Sequence, residues 1–194
     1  MDDRYCRNVD LPRLDHKSEE LILDFVTSKK NQLVGWSFHN NLVSSTTTRD
    51  IFGFSNLRIT EHEEILFLKN ILENNHIFLN YDKLFFAIQR SKIRILPHTD
   101  PGRTVTLQYL IKGKAISKFW SMENFVPDIS YHNKKLKLES EFIIEPHTWY
   151  LFNNSSIHSV DDIEDNERVQ LVIVLTYRFE NFQDAVLNFN NILL

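Results

Sequence analysis

The chain has a single cysteine, Cys6, in 194 residues, so it closes no internal disulfide and gives no sign of an oxidising compartment. Glycine is scarce: four residues, against fifteen phenylalanines, point to a compact core rather than a flexible chain. No Pro/Gly/Ser-rich linker, low-complexity tract or internal repeat divides the sequence, which excludes arrays and tethered modules. No apolar run approaches the roughly 18 residues that a membrane span requires. The opening MDDRYCRNVD is polar and acidic and lacks the apolar centre of a secretory leader, so a cytoplasmic protein is expected. Excess positive charge is missing as well. With 22 Lys+Arg against 26 Asp+Glu, the formal charge is -4 and the pI about 6.1. That balance argues against a non-specific nucleic-acid binder, although it leaves room for a local basic channel.

What is present suits one domain over 1–194. Hydrophobic residues make up 42% and aromatics 12%, enough to fold without metal or disulfide staples. Residues 18–30 read as a helix, with Ser18 as cap, Glu19 and Glu20 at the positive end, and Leu21, Ile22, Phe25 and Val26 at helical spacing. Gly35 and Trp36 follow in a strand or loop. Residues 61–75 read as a second helix capped by Thr60, with an apolar face of Ile65, Leu68, Ile71 and Leu72. The stretch 77–90 fits either a continued helix or a strand. From Lys92 the texture turns to short β-rich runs: Ile93 to Pro97, Thr104 to Ile111, Ala115 to Trp120, Lys135 to Ile144, Trp149 to Asn153 and Val169 to Arg178. Pro97, Pro101–Gly102, Gly113, Pro127 and Pro146 punctuate them. The expected class is mainly β with supporting helices (α+β), a sandwich or jelly roll. Residues 1–90 are the helical or mixed support, 91–180 the β-core and 181–194 a short C-terminal helix.

The chemistry concentrates in Ile95-Leu96-Pro97-His98-Thr99-Asp100. On an extended chain His98 and Asp100 share a face, so an imidazole and a carboxylate can meet one metal. His98 alone reads equally well as a surface or core histidine. His158, just after a β-like run, is the best third ligand. Two histidines and a carboxylate form the facial triad that leaves open positions on Fe(II) for an oxoacid and O₂. Arg168 follows ten residues after His158 and opens the apolar strand Val169-Gln170-Leu171-Val172-Ile173. Its permanent, bidentate charge suits a buried dianion. Its alternative is an ordinary pair with Asp161, Asp162, Glu164, Asp165 or Glu167. His147, in the turn Glu145-Pro146-His147-Thr148, competes with His158 but has no arginine at the same distance.

The order His98-x-Asp100, His158, Arg168 resembles the 2-oxoglutarate/Fe(II)-dependent oxygenases. Pro97-His98-Thr99-Asp100-Pro101-Gly102-Arg103, Tyr150-Leu151-Phe152-Asn153-Asn154 and Arg168-Val169-Gln170-Leu171-Val172-Ile173 resemble its aspartyl/asparaginyl β-hydroxylase-like branch. The resemblance covers residues 92–178. It implies a double-stranded β-helix, a cupin-like jelly roll with the metal near its open mouth. It also implies Fe(II) on His98, Asp100 and His158, with 2-oxoglutarate chelating the metal and reaching Arg168. O₂ and the oxoacid would then be converted to succinate and CO₂ as a substrate is hydroxylated, an amino-acid side chain that is free or in a peptide. Arg103 is expected to meet an acidic substrate group or the co-substrate. Thr106 and Gln108 share one strand face, opposite Tyr109, and are expected to line the pocket. Asn153 is expected to bond a ligand or orient His158, with turn formation as its plain alternative. The competing functions are a metal-binding cupin-like protein that does not use 2-oxoglutarate, and a silent binding domain on the same fold.

Overall fold

The structure is a computed structural model that describes residues 4–29, 34–39, 42–46, 54–91, 94–100, 102–123, 134–161 and 167–194. Its first elements are strand β1 (Cys6–Val9) and helix α1 (His16–Ser28). Asp15, not Ser18, caps α1: its carboxylate accepts the Ser18 N–H at 2.7 Å. The Ser18 hydroxyl is taken instead by Asn75 Nδ2 at 2.8 Å. The helix therefore starts before Ser18, and it buries Ile22 and Val26. Strands β2 (Val34–His39), β3 (Leu42–Thr46) and β4 (Phe54–Ile59) follow, which settles Gly35 and Trp36 as strand. Helix α2 (His62–Asn74) has Glu61 at its N-cap with no side-chain bond, so Thr60 does not cap it. Glu63 and Glu64 complement the helix dipole there, and Leu68, Ile71 and Leu72 are buried.

The ambiguous stretch after α2 is neither one helix nor one strand. His76 turns the chain with φ 61°, Ile77 and Leu79 are buried in the core, and β5 (Phe85–Ser91) begins only afterwards. The remaining strands are β6 (Ile95–His98), β7 (Val105–Lys112), β8 (Ala115–Ser121), β9 (Lys137–Ile144), β10 (Trp149–Asn153), β11 (Ile157–Asp161) and β12 (Arg168–Val174). Helix α3 (Phe182–Asn188) and a 3₁₀ turn (Phe189–Ile192) close the chain. Lys30, Ile93, Pro101, Pro127, His132 and Asn133 lie outside the described residues, as do Asp162, Glu164 and Asp165.

Two antiparallel sheets form. The larger has the order β1-β10-β7-β12-β5-β4-β2-β3 and the smaller β6-β11-β8-β9. This is the jelly-roll arrangement, mainly β with supporting helices. The first ninety residues thus do more than support it, since five of their strands build the larger sheet. The strand β11, between β10 and β12, was not among the expected β-rich runs.

Side-chain alternation divides the larger sheet cleanly. Leu107, Tyr109, Leu171 and Ile173 join Ile22, Leu68, Leu72 and Ala185 of the helices in the main apolar core. The opposite face looks toward the smaller sheet. There Cys6, Leu110, Tyr150 and Phe152 pack on Phe119, Phe142 and Ile144, while Gln89, Gln108, Arg168 and Gln170 line a polar cavity. A buried Leu or Ile contributes about 1.5–3 kcal/mol, so the helix-covered face supplies most of the apolar stabilisation. Among the described residues, no helix is long and apolar enough to cross a membrane.

Candidate metal centre

Strand pairing brings the two histidines together. His158 stands opposite His98 in the antiparallel β6–β11 ladder, with an irregularity between His158 and Val160. Directly opposed residues share a face, and the ring centroids lie 4.3 Å apart. Phe152 meets the His158 ring edge-on at 5.1 Å, and Phe119 packs on Phe152 in a tilted arrangement at 5.0 Å, walling that side. Asp100 follows on the extended chain, where its N–H donates to the Asn154 carbonyl at 3.1 Å. Its Oδ1 lies 3.4 Å from His98 Nε2 and its Oδ2 3.9 Å from His158 Nε2. One ligand atom from each of the three residues falls within 4.8 Å of the others.

The tautomers follow from the backbone. His98 Nδ1 sits 2.8 Å from Leu96 O, and His158 Nδ1 sits 2.9 Å from Ser156 O. A carbonyl only accepts, so each Nδ1 carries a proton and each Nε2 is the ring nitrogen that faces Asp100. The protonation states suit a cation. Burial, then the charge of His98, pushes His158 down to about 4, so it is neutral at ordinary pH. Burial alone would raise the Asp100 carboxyl, but its hydrogen bond with His98 and the charges of His98, His158 and Arg103 hold it well below the usual carboxylate range. Two imidazoles and a carboxylate around one point fit a divalent metal.

The cavity beside the triad has a volume of about 30 Å³ and is lined by Gln89, Gln108, Asn154, Arg168 and Gln170 as well as the triad. Arg168 is 3% exposed, and burial pushes its guanidinium down to about 10. Glu167 does not pair with it, being held by Arg90 at 2.6 Å and Lys112 at 2.5 Å. Asp161 is bound to Lys118 at 3.0 Å. Among the described residues no carboxylate forms an ion pair with Arg168, and its Nε has no hydrogen-bond partner. Gln170 Oε1 and Ser91 Oγ are likewise buried without partners, and Ser91 stands opposite Arg168 in the β5–β12 ladder.

The other expected residues fall variously. Gln108 lines the cavity. Thr106 shares its face, is fully buried, and accepts from Gln108 Nε2 at 2.8 Å. Tyr109 faces the helices, where it donates to Glu19 at 2.6 Å. Arg103 is half-buried beside Asp100, to which its N–H donates through the Asp100 carbonyl at 3.1 Å, and it does not line the cavity. Asn153 differs from expectation. Alternation along β10 points it away from the cavity, on the face of Trp149 and Leu151, and it bonds Arg4 O at 3.1 Å and Ser155 Oγ at 2.6 Å. The next residue, Asn154, reaches the centre instead: its Nδ2 donates to Asp100 Oδ2 at 2.6 Å. Gln170 and Gln89 were also missed, although Gln170 could be found from its position two residues after Arg168 on the same strand face. His147 takes no part, since its Nδ1 meets Glu19 at 2.7 Å on the helix side. Trp149 is a core residue bonded to Pro12 O at 2.9 Å, and Trp120 donates to Ser159 Oγ at 3.0 Å.

Fold and site together define a jelly-roll protein with a candidate two-histidine, one-carboxylate metal centre between its sheets. No family model matches the chain, and no curated protein matches it. Among solved structures it is similar to the DMSP lyases RdDddP and RnDddQII, with 14% identity, TM-score 0.44, and coverage of 86% of this chain and 74% of that one. It is also similar to oxalate decarboxylase from Lactobacillus farciminis, with 10% identity, TM-score 0.39, and coverage of 65% and 30%. A third is peruvianin-I, a cysteine peptidase from Thevetia peruviana latex, with 13% identity, TM-score 0.38, and coverage of 64% and 63%. The chain spans less than two-thirds of the length of the latter two.

Proposed function

We propose that this protein is an Fe(II)- and 2-oxoglutarate-dependent oxygenase, with His98, Asp100 and His158 as metal ligands and Arg168 as the anchor of the distal carboxylate. The observation that carries this reading is Arg168. It is a buried guanidinium with an unpartnered Nε, in the same cavity as the triad. A buried, unpaired charge is costly, and a bound anion removes that cost. Gln108 and Gln170 supply neutral polar groups beside it. Bound iron would supply the oxidation of the substrate in step with decarboxylation of the oxoacid. The chain's own groups hold the ligand geometry, keep His158 neutral, and exclude water behind Phe152 and Phe119. The substrate class that follows from the sequence resemblance is an amino-acid side chain, free or in a peptide.

A second reading keeps the metal and drops the oxoacid: a metal-binding cupin-like protein. The observation in its favour is the cavity volume of about 30 Å³. That is small beside a five-carbon diacid. Anaerobic titration of Fe(II)-loaded protein with 2-oxoglutarate separates the two. A visible charge-transfer band that weakens in Arg168→Ala supports the oxygenase. Iron binding without a band leaves the metal-binding reading and removes the oxygenase.

A further inference from the structure

The metal ligand Asp100 is gripped twice by one residue of the β10–β11 turn. Asn154 accepts the Asp100 N–H on its backbone carbonyl at 3.1 Å and donates its side-chain amide to Asp100 Oδ2 at 2.6 Å. Its own N–H is fixed to Thr104 O at 3.0 Å. The side chain is 3% exposed. The amide is also oriented from behind. Thr106 Oγ accepts from Gln108 Nε2 at 2.8 Å, so its hydroxyl proton goes to Asn154 Oδ1 at 2.7 Å. The Asn154 NH₂ is thereby left to face the carboxylate.

We infer that Asn154 is a positioning residue that makes Asp100 a one-oxygen metal ligand, with the Gln108–Thr106 pair locking its orientation. This rests on the metal centre proposed above. A charge-assisted bond at 2.6 Å occupies Oδ2, while Oδ1 faces His98 Nε2 at 3.4 Å. The Asn154 bond takes one lone pair of Oδ2 and fixes the rotation of the carboxylate, which disfavours two-oxygen ligation. Holding the carboxylate to one oxygen keeps a coordination position for an exogenous ligand, the feature that distinguishes a reactive centre from a closed one. The relay ends at Gln108 in the cavity wall, so the group that orients the ligand also touches the ligand space.

The test is a titration of metal-free protein with Co(II), following both affinity and the visible absorption of the bound ion. Asn154→Ala is expected to weaken Co(II) binding about 10–100-fold, the usual cost of losing a residue that orients a ligand, and to alter the absorption as Asp100 becomes free to use both oxygens. Thr106→Val is expected to move both readouts in the same direction by less, and Thr106→Ser, which keeps the hydroxyl, to restore them. Asn154→Ala that binds with wild-type affinity and spectrum overturns the inference. Should Asn154→Ala not fold, the threonine pair decides: Val and Ser both indistinguishable from wild type overturn it. Wild-type protein that takes up no Co(II) overturns the metal centre itself, and the inference with it.

Discussion

Arg168→Met makes stability and ligand binding move in opposite directions. The guanidinium is 3% exposed, and burial pushes it down from its ordinary value to about 10. Each tenfold change in proton affinity is worth about 1.4 kcal/mol, so holding this charge inside costs the fold about 3 kcal/mol. The sign follows from linkage. At neutral pH both the folded and unfolded chains carry the charge, so the full penalty is present; it fades only as pH rises through about 10. Methionine has similar reach and no charge, so the metal-free variant should be more stable by up to about 3 kcal/mol. With a urea slope of about 2 kcal/mol/M, the unfolding midpoint rises by about 1.5 M. The same substitution removes the partner of a buried anion, a loss of about 2–5 kcal/mol, or about 30-fold to several-thousand-fold in 2-oxoglutarate affinity. Urea unfolding and anaerobic calorimetry read the two halves. A midpoint that falls by a comparable amount would show that a carboxylate compensates Arg168 in the folded chain. Unchanged oxoglutarate binding would remove Arg168 as the anchor.

Further substitutions probe the centre and its support. His98→Ala, Asp100→Ala and His158→Ala should each weaken Fe(II) binding by more than the about 10–100-fold typical of an orienting residue, with far-UV circular dichroism unchanged; anaerobic Fe(II) titration measures this. Stability of the metal-free protein should fall as pH drops from about 6.5 to about 4, because the unfolded chain takes up a proton that folded His158 refuses. Urea midpoints across that window should show the slope, and His158→Phe should flatten it. On the helix side, Tyr109→Phe removes the 2.6 Å bond to Glu19 and strips Leu14 N–H of its acceptor. Leaving those buried groups short of partners should cost about 1–3 kcal/mol in thermal or urea unfolding.

The sequence made His98 and Asp100 legible because a two-residue spacing on an extended chain fixes a common face whatever the surroundings. Alternation also separated Gln108 from Tyr109 correctly, since it needs only the strand. It was less useful at strand ends. Asn153 is the last residue of β10 and obeys its parity by pointing away from the cavity, whereas Asn154 escapes that parity by entering the turn. The polar run Asn153-Asn154-Ser155-Ser156 gives no local signal of which member turns inward; that depends on the Asp100 backbone from a different part of the chain. Helix caps failed for a similar reason. Ser18 is an ordinary capping residue by type, but Asn75, 57 residues away, holds its hydroxyl and leaves the cap to Asp15. Strand β2 was only half legible, through Gly35 and Trp36, and β3 and β4 were hidden, because their pairing with β5 and with one another is long-range and strand preference is set mostly by such context.

The interior of the sandwich bears on what the fold is for. Two packed sheets usually fill the gap between them with apolar side chains. Here the side around Phe119, Phe142 and Phe152 does so, with two smaller groups, Ala87 with Val172 and Val174, and Ile95 with Ala115 and Val160. Toward β5, β12, β6 and β11 the gap holds Gln89, Arg168, Gln170, His98 and His158. Arg168 Nε, Gln170 Oε1, Ser91 Oγ and Ser117 Oγ are buried on these strands and β8 without partners among the described residues. At about 1–3 kcal/mol each, such atoms would together cost an amount comparable to the whole stability of a typical domain, about 5–15 kcal/mol. A fold retains them when something polar occupies the space. The apolar stabilisation that the gap gives up is recovered on the other face of the larger sheet, where α1, α2 and α3 cover Leu107, Leu171 and Ile173. The helices are therefore what allows part of the space between the sheets to be polar instead of an apolar core.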